Sequence, residues 1–174
     1  MSIQTWDQRH RSIERLGEAA PLVVETARRM KPGRALDLAC GTGRNALWLA
    51  EHAWSVTAVD GSPAAIEMLR NRAGGLGLHV DARVADLEKG EYNIEPSAWE
   101  LIVVFLYLQR ELFEPAKLGV VPGGALIAVT LLAEEPANHR LTPGELEGYF
   151  SGWEILHRYE GGGVAEIVAR HGNR

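Results

Sequence analysis

The residues in this sequence that could do chemistry are three aspartates and a pair of glycines. Asp37 lies in the apolar run RALDLAC, which leads directly into Gly41-Thr42-Gly43; Asp60 ends the β-branched run SVTAVD, and Asp86 follows HVDARVA. Glycines at such a junction remove Cβ atoms where the chain must turn sharply or where a ligand approaches the backbone. Gly41, Gly43 and Ala46 also fit the loose G-x-G-x-x-A pattern of nicotinamide and flavin proteins. The helix start behind such a loop attracts a pyrophosphate, but a carboxylate beside it repels one. Asp37 is better matched to a cationic ligand, whereas Asp60 offers two acceptor oxygens to a ribose diol in either case.

The remaining reactive residue types carry less. Cys40 sits inside the loop, yet nothing in its sequence context lowers a thiol pKa, so it reads as a small buried residue and not a nucleophile. The six histidines show no metal-ligand spacing, and no metal site is expected. Trp48, Trp99 and Trp153 stand in apolar surroundings and are expected in the core. Tyr107, Gln109 and Arg110 form a polar group after an apolar run. Arg110 reads equally well as a ligand for an anionic substrate or as the start of a helix.

To position these groups the chain needs an α/β framework, and its patterning provides one. From Arg34 onward short apolar segments alternate with helix-like ones, the signature of a mainly parallel sheet. Strands are expected at 34–40, 55–60, 79–85, 99–108 and 125–132, with helices at 21–30, from 44 to about 52, from 63 into the 73–77 glycine stretch, and at 109–118. Ser62 has N-cap chemistry, with Pro63 at the first helical position. WELIVVFLYL (99–108) is apolar on successive residues, as a central strand covered on both faces should be. VPGG (121–124) reads as a turn and TPGELEGYF (142–150) as a capped short helix. Strands at 154–159 and 165–170, separated by Gly161-Gly162-Gly163, are expected to form an antiparallel hairpin. In open α/β sheets ligands sit beyond the carboxyl ends of the strands. That rule places the loop from Asp37 to Gly43, Asp60, Asp86 and Phe105 along one rim.

Composition sets the outer bounds. The 174 residues, 46% of them hydrophobic, suffice for one domain with a real core. A net charge of −5 provides no general attraction to a phosphate backbone, so nucleic acid is disfavoured as a partner. The longest apolar runs fall well short of the roughly 20 residues that cross a bilayer, so no membrane association is expected. A single cysteine excludes an intrachain disulfide and, with an N-terminal stretch of mixed charge, makes the cytoplasm the expected location.

Taken together, LDLACGTGRN, VDGSPAAI, VADLE and VPGGALI resemble the successive motifs of class I S-adenosylmethionine-dependent methyltransferases. Within that superfamily, WDQRHR near the start and VVFLYLQRELF after the fourth strand resemble the small tellurite-resistance-type and thiopurine-type enzymes. The resemblance implies a Rossmann-like three-layer α/β sandwich with a seven-stranded, mostly parallel sheet of order 3-2-1-4-5-7-6, the last strand antiparallel. The core would span 34–174, with residues 1–30 as a helical lid. The resemblance also implies S-adenosylmethionine as cofactor, with Asp37, Ala39, Gly41 and Gly43 around its methionine part and Asp60 on the ribose hydroxyls. Gly61 and Ser62 would border the adenine; Asp86 would accept from its amine and the Leu87 backbone would donate to it. Phe105 would stand near the sulfonium, where an aromatic face favours a cation. Trp6 and Arg9 would belong to the lid, and Tyr107 and Arg110 would face a small-molecule substrate.

Three positions depart from the family pattern: Ala39 stands where a first loop glycine is common, Gly61 where a bulky apolar residue is common, and His10 where many small relatives have tyrosine. The presence of alanine at position 39 leads us to expect a backbone there that suits an ordinary residue. Methyl transfer is an in-line displacement driven largely by alignment, with a general base optional. The sequence offers no compelling base, which favours a soft anion, a metalloid oxyanion or a thiol as acceptor. Two other readings stay open: a non-catalytic module that binds S-adenosylmethionine, and a nicotinamide-dependent oxidoreductase, for which no proton donor such as a Tyr-Lys pair is evident.

Overall fold

The strands of the described residues assemble into one seven-stranded sheet whose spatial order, counting strands along the chain, is 3-2-1-4-5-7-6, in a computed structural model that describes residues 17–135 and 137–172. The elements divide between two compact units, Met1–Asn93 and Ile94–Arg174.

In the first unit the order is α1 (Pro21–Arg28), β1 (Arg34–Leu38), α2 (Arg44–Glu51), β2 (Ser55–Asp60), α3 (Pro63–Gly75) and β3 (Val80–Val84). β1 pairs in parallel with β2, placing Asp37 opposite Ala58, and β2 pairs in parallel with β3, placing Asp60 opposite Val84. Ala35, Leu36 and Leu38 of β1 and Val56, Ala58 and Val59 of β2 are buried. Such near-continuous burial is what a strand covered on both faces requires. α3 starts where its cap chemistry dictates: Ser62 Oγ accepts from the Ala65 amide at 3.1 Å, and Pro63 occupies the first turn.

The second unit contains β4 (Trp99–Phe105), a 3₁₀ turn (Arg110–Leu112), α4 (Phe113–Gly119), β5 (Val120–Leu131), α5 (Glu145–Gly148), β6 (Glu154–Gly161) and β7 (Val164–Arg170). β4 and β5 run parallel, and β7 lies antiparallel between β5 and β6. The glycine turn of the last hairpin has both Gly162 and Gly163 at positive φ, 57° and 78°.

Several boundaries differ from the sequence-based expectations, each for a local reason. β1 ends at Leu38, before Cys40, because Ala39 enters the left-handed region (φ 54°). β4 likewise ends at Phe105 and not at Leu108, since Leu106 turns the chain at φ 55° while its amide donates to Val129 O at 2.7 Å. The continuous helix expected at 109–118 is a 3₁₀ turn followed by a short α-helix. Pro115 fits the first turn of α4 but would clash with a helix continuing from upstream. VPGG is not a turn between elements but a bulge inside β5: the β4 register jumps from Trp99↔Val120 to Leu101↔Ala125. Reciprocal bonds of 2.9 Å, from Gly123 N to His171 O and from His171 N to Gly124 O, hold that excursion against the chain beyond β7. A Cβ on Gly124 would lie 2.9 Å from Glu100 O, so the close backbone approach demands glycine there. Of the three tryptophans expected in the core only Trp99 is buried, together with Trp54. Trp48 stacks half-exposed on His52 at 3.8 Å and Trp153 on His171 at 5.0 Å.

Candidate cofactor site and family

The loop between β1 and α2 is built around Asp60. Oδ2 of Asp60 accepts the Gly41 amide at 2.9 Å and Oδ1 accepts the Ser62 amide at 2.8 Å, so one carboxylate ties together the two loops that follow β1 and β2. The Cys40 amide donates to Val59 O and the Gly43 amide to Cys40 O, each at 3.0 Å. These bonds fold the loop into a tight turn with Ala39, Gly41 and Gly43 all at positive φ (54°, 57° and 86°). Gly43 is the N-cap of α2, and a Cβ there would overlap Leu69 Cδ1. At Ala39 the expectation of an ordinary backbone is corrected: the conformation is the left-handed one that a glycine would suit, and the alanine carries a strain of about 1 kcal/mol.

Asp37 lies beneath this loop and is only 1% exposed. Its Oδ2 has no hydrogen-bond partner among the described residues, while the Ala46 amide supports the carboxylate from α2. Burial, with the negative Asp60 adding to it, pushes the Asp37 carboxyl from 3.8 up to about 7. Such a group is completed by a proton or by a cation. The same burial, with Asp37 and Asp60 close by, raises the Cys40 thiol well above its ordinary value, so it is not a nucleophile at neutral pH.

Asp86 follows β3 and is braced locally: Oδ1 accepts the Glu88 amide at 3.1 Å, and Lys89 Nζ lies 3.2 Å from Oδ2. Its own amide donates to Glu91 Oε2 at 2.8 Å. Leu87 beside it is buried, and Ser62 spends its hydroxyl on capping α3. Asp37, Ala39, Gly41, Gly43, Asp60, Gly61, Ser62, Asp86 and Leu87 all belong to the first unit, at or beyond the carboxyl ends of its three strands.

In the second unit Phe105 closes β4, and the Tyr107 hydroxyl donates to Gln109 Oε1 at 3.0 Å. Arg110 is already engaged by its own chain: Nε donates to Glu145 Oε1 at 2.7 Å and Nη2 to Glu145 Oε2 at 3.3 Å. Glu145 did not figure among the sequence-based candidates. Its T-x-x-E spacing from Thr142 was visible as a capping signal, but its pairing with Arg110 across 35 residues was not. Trp6 and Arg9 lie outside the described residues. Among the described residues no cluster of His, Cys, Asp or Glu could hold a metal ion, and no helix is long and apolar enough to cross a membrane.

The match to known proteins decides the family. The model of the family described as "Tellurite resistance protein TehB" matches residues 2–174. The chain belongs to the TehB family. A TehB-family relative from Haemophilus influenzae, named a probable S-adenosyl-L-methionine-dependent methyltransferase, is 26% identical over 162 residues, covering 87% of this chain and 57% of the relative. Hemagglutinin 1 of Eikenella corrodens is 28% identical over 160 residues, covering 86% of this chain and 53% of that protein. The chain thus spans little more than half the length of these curated relatives. The crystal structure of TehB from Haemophilus influenzae superposes with a TM-score of 0.78 at 24% identity, covering 87% of this chain and 62% of that one. That likeness carries the TehB fold, and the strand order is the one its motifs implied.

Proposed function

We propose that this TehB-family chain is an S-adenosylmethionine-dependent methyltransferase acting on a small-molecule acceptor. One observation supports the reading above the rest: a buried carboxylate oxygen on Asp37 with no partner among the described residues, beneath a loop whose Gly41 amide is already bonded to Asp60. A pyrophosphate cradle needs the loop amides free and negative charge kept away. Here the Gly41 and Gly43 amides are both used within the protein, and two aspartates flank the turn. A ligand with a cationic amino acid end suits that arrangement, and a dinucleotide does not.

S-adenosylmethionine, when bound, supplies a methyl group on a sulfonium that is already a good leaving group. Asp37 would hold the ammonium of its amino acid part, and the backbone of Ala39, Gly41 and Gly43 would line the same end. Asp60 keeps lone pairs on both oxygens beyond its two backbone bonds, enough to accept from both hydroxyls of a ribose. Gly61, Ser62, Asp86 and Leu87 would border the adenine. The methylated atom belongs to a soft anion, metalloid oxyanion or thiol, because the Cys40 thiol stays neutral and Asp37, whose carboxyl is raised to about 7, lies buried beneath the loop and is assigned to the cofactor ammonium.

Calorimetric titration with S-adenosylmethionine, S-adenosylhomocysteine and NADH, on the wild type and Asp60→Ala, tests the reading. Saturable binding of the two adenosyl ligands, lost in Asp60→Ala, with no NADH binding, is the expected result. It would lead to an acceptor screen with selenite, tellurite and 2-mercaptoethanol. Binding of NADH alone would overturn the proposal.

A further inference from the structure

Arg110 follows the carboxyl end of β4, and the segment 137–141 follows that of β5, two strands that run parallel side by side. Both therefore belong to the edge of the sheet where open α/β folds receive their ligands. Between them the Arg110 guanidinium makes four hydrogen bonds. Nε and Nη2 grip the two oxygens of Glu145, Nη1 donates to Ala137 O at 3.2 Å, and Nη2 also donates to Arg140 O at 3.1 Å. Glu145 in turn accepts the Thr142 amide at 3.0 Å, the Thr142 hydroxyl at 3.1 Å and the Tyr149 hydroxyl at 3.3 Å.

The segment held in this way is attached at its far side as well. Leu141 is buried and exchanges backbone bonds of 2.9 Å with Leu131 O and the Ala133 amide, while Arg140 Nη1 donates to Leu132 O at 3.2 Å. Ala137, Asn138, His139 and Arg140 themselves are exposed. Few buried apolar contacts hold such a stretch, so its position depends on the polar bonds that fasten it. A bidentate Arg–carboxylate pair with two further carbonyl acceptors commits four of the five N–H donors of the fork to the protein itself.

We infer that Arg110 is a positioning residue: paired with Glu145, it pins the 137–141 segment beside the ends of β4 and β5 and so shapes the rim at the ends of those strands, where a methyl acceptor would enter, without binding acceptor or cofactor itself. The acceptor clause rests on the methyltransferase reading; the pinning does not. The arrangement explains why an arginine serves here. A lysine provides a point charge and cannot grip a carboxylate in two places while reaching two carbonyls.

Hydrogen exchange of the 137–141 amides, S-adenosylmethionine titration and acceptor kinetics on Arg110→Ala, Arg110→Lys, Glu145→Gln and the Arg110→Ala/Glu145→Gln double variant test the inference. Exchange is expected to speed up roughly tenfold in each single variant and no further in the double, because both act through one bonded unit. Affinity for S-adenosylmethionine should stay within about twofold, while KM for tellurite or 2-mercaptoethanol rises about fivefold or more with kcat nearly unchanged. Unaltered exchange in Arg110→Ala and Glu145→Gln overturns the pinning. A parallel loss of S-adenosylmethionine affinity assigns Arg110 to the cofactor and overturns it as well. A wild type that binds S-adenosylmethionine but methylates none of the probes removes the acceptor clause, and the exchange data then decide the pinning on its own.

Discussion

The Gly41 amide donates to Oδ2 of Asp60 at 2.9 Å, across 19 positions of sequence, and this bond makes the glycine loop and the end of β2 one structure. The carboxylate is thus both a scaffold for the loop and the acceptor proposed for a ribose. Asp60→Ala should lose both roles. Removing two hydrogen bonds to a charged acceptor is expected to lower stability by about 2–3 kcal/mol and to abolish S-adenosylmethionine binding. Asp60→Asn, which keeps one acceptor oxygen, should recover part of the stability. Thermal melts with and without S-adenosylhomocysteine distinguish the two roles: a stable Asp60→Ala protein that still binds would show that the carboxylate serves neither.

The proposed role of Asp37 predicts a cofactor affinity that depends on pH. Its carboxyl is raised from 3.8 to about 7 in the folded state, so the folded protein holds this proton more tightly than the unfolded chain. The stability it confers is complete below about 4 and is lost as pH rises towards 7, on the order of 4 kcal/mol across three pH units. Asp37→Asn should accordingly be more stable than the wild type at pH 8 in the absence of ligand. A cationic ligand favours the ionised form, so wild-type affinity for S-adenosylmethionine should rise from pH 5.5 to 7.5 while that of Asp37→Asn is weak and flat. An equally pH-independent wild type would contradict the assignment.

Gly43 is the tightest point of the loop. At φ 86° and with Leu69 in the space of a Cβ, Gly43→Ala combines backbone strain with overpacking and should cost about 2–4 kcal/mol. The atoms in the way are the tip of one side chain. Gly43→Ala with Leu69→Val should therefore regain part of the loss relative to Gly43→Ala alone, measured by urea denaturation. A double variant no better than the sum of its parts would place the whole cost in the backbone.

Acid unfolding should report the Glu145 cluster. The Arg110 side chain beside it, with Thr142 also donating, holds its carboxyl down to about 2 from 4.5. A depressed carboxyl stabilises the fold above its unfolded value and loses that contribution as pH falls from 4.5 towards 2. Glu145→Gln removes the dependence. The stability difference between wild type and Glu145→Gln should shrink steadily over that window, and a constant difference would show that the pair contributes nothing through charge.

The sequence by itself determined the elements and the chemistry of the loop. Runs such as ALDL and VTAV, the Ser62-Pro63 cap and the glycines at 41 and 43 act through neighbours a few residues away, so local pattern sufficed to place β1, β2, α3 and the turn. The sign of Asp37 was legible too, because a carboxylate next to a helix start repels phosphate wherever the chain folds. Local signals failed where strain or distant partners intervened. Ala39 and Leu106 take left-handed conformations that their side chains disfavour, and only the surrounding turns make them do so.

The tertiary structure alone decided what each polar group does. The bonds from Asp60 to Gly41 and from Arg110 to Glu145 span 19 and 35 residues, and neither leaves a periodic trace in the sequence. Arg110, open in the sequence between anion ligand and helix start, spends four of its five N–H donors on a carboxylate and two carbonyls that folding brings beside it. Asp37 acquires its raised pKa in the same way: one carboxylate oxygen is shut away from water without a partner, and the cost of that burial exists only once the sheet and the loop have closed around it.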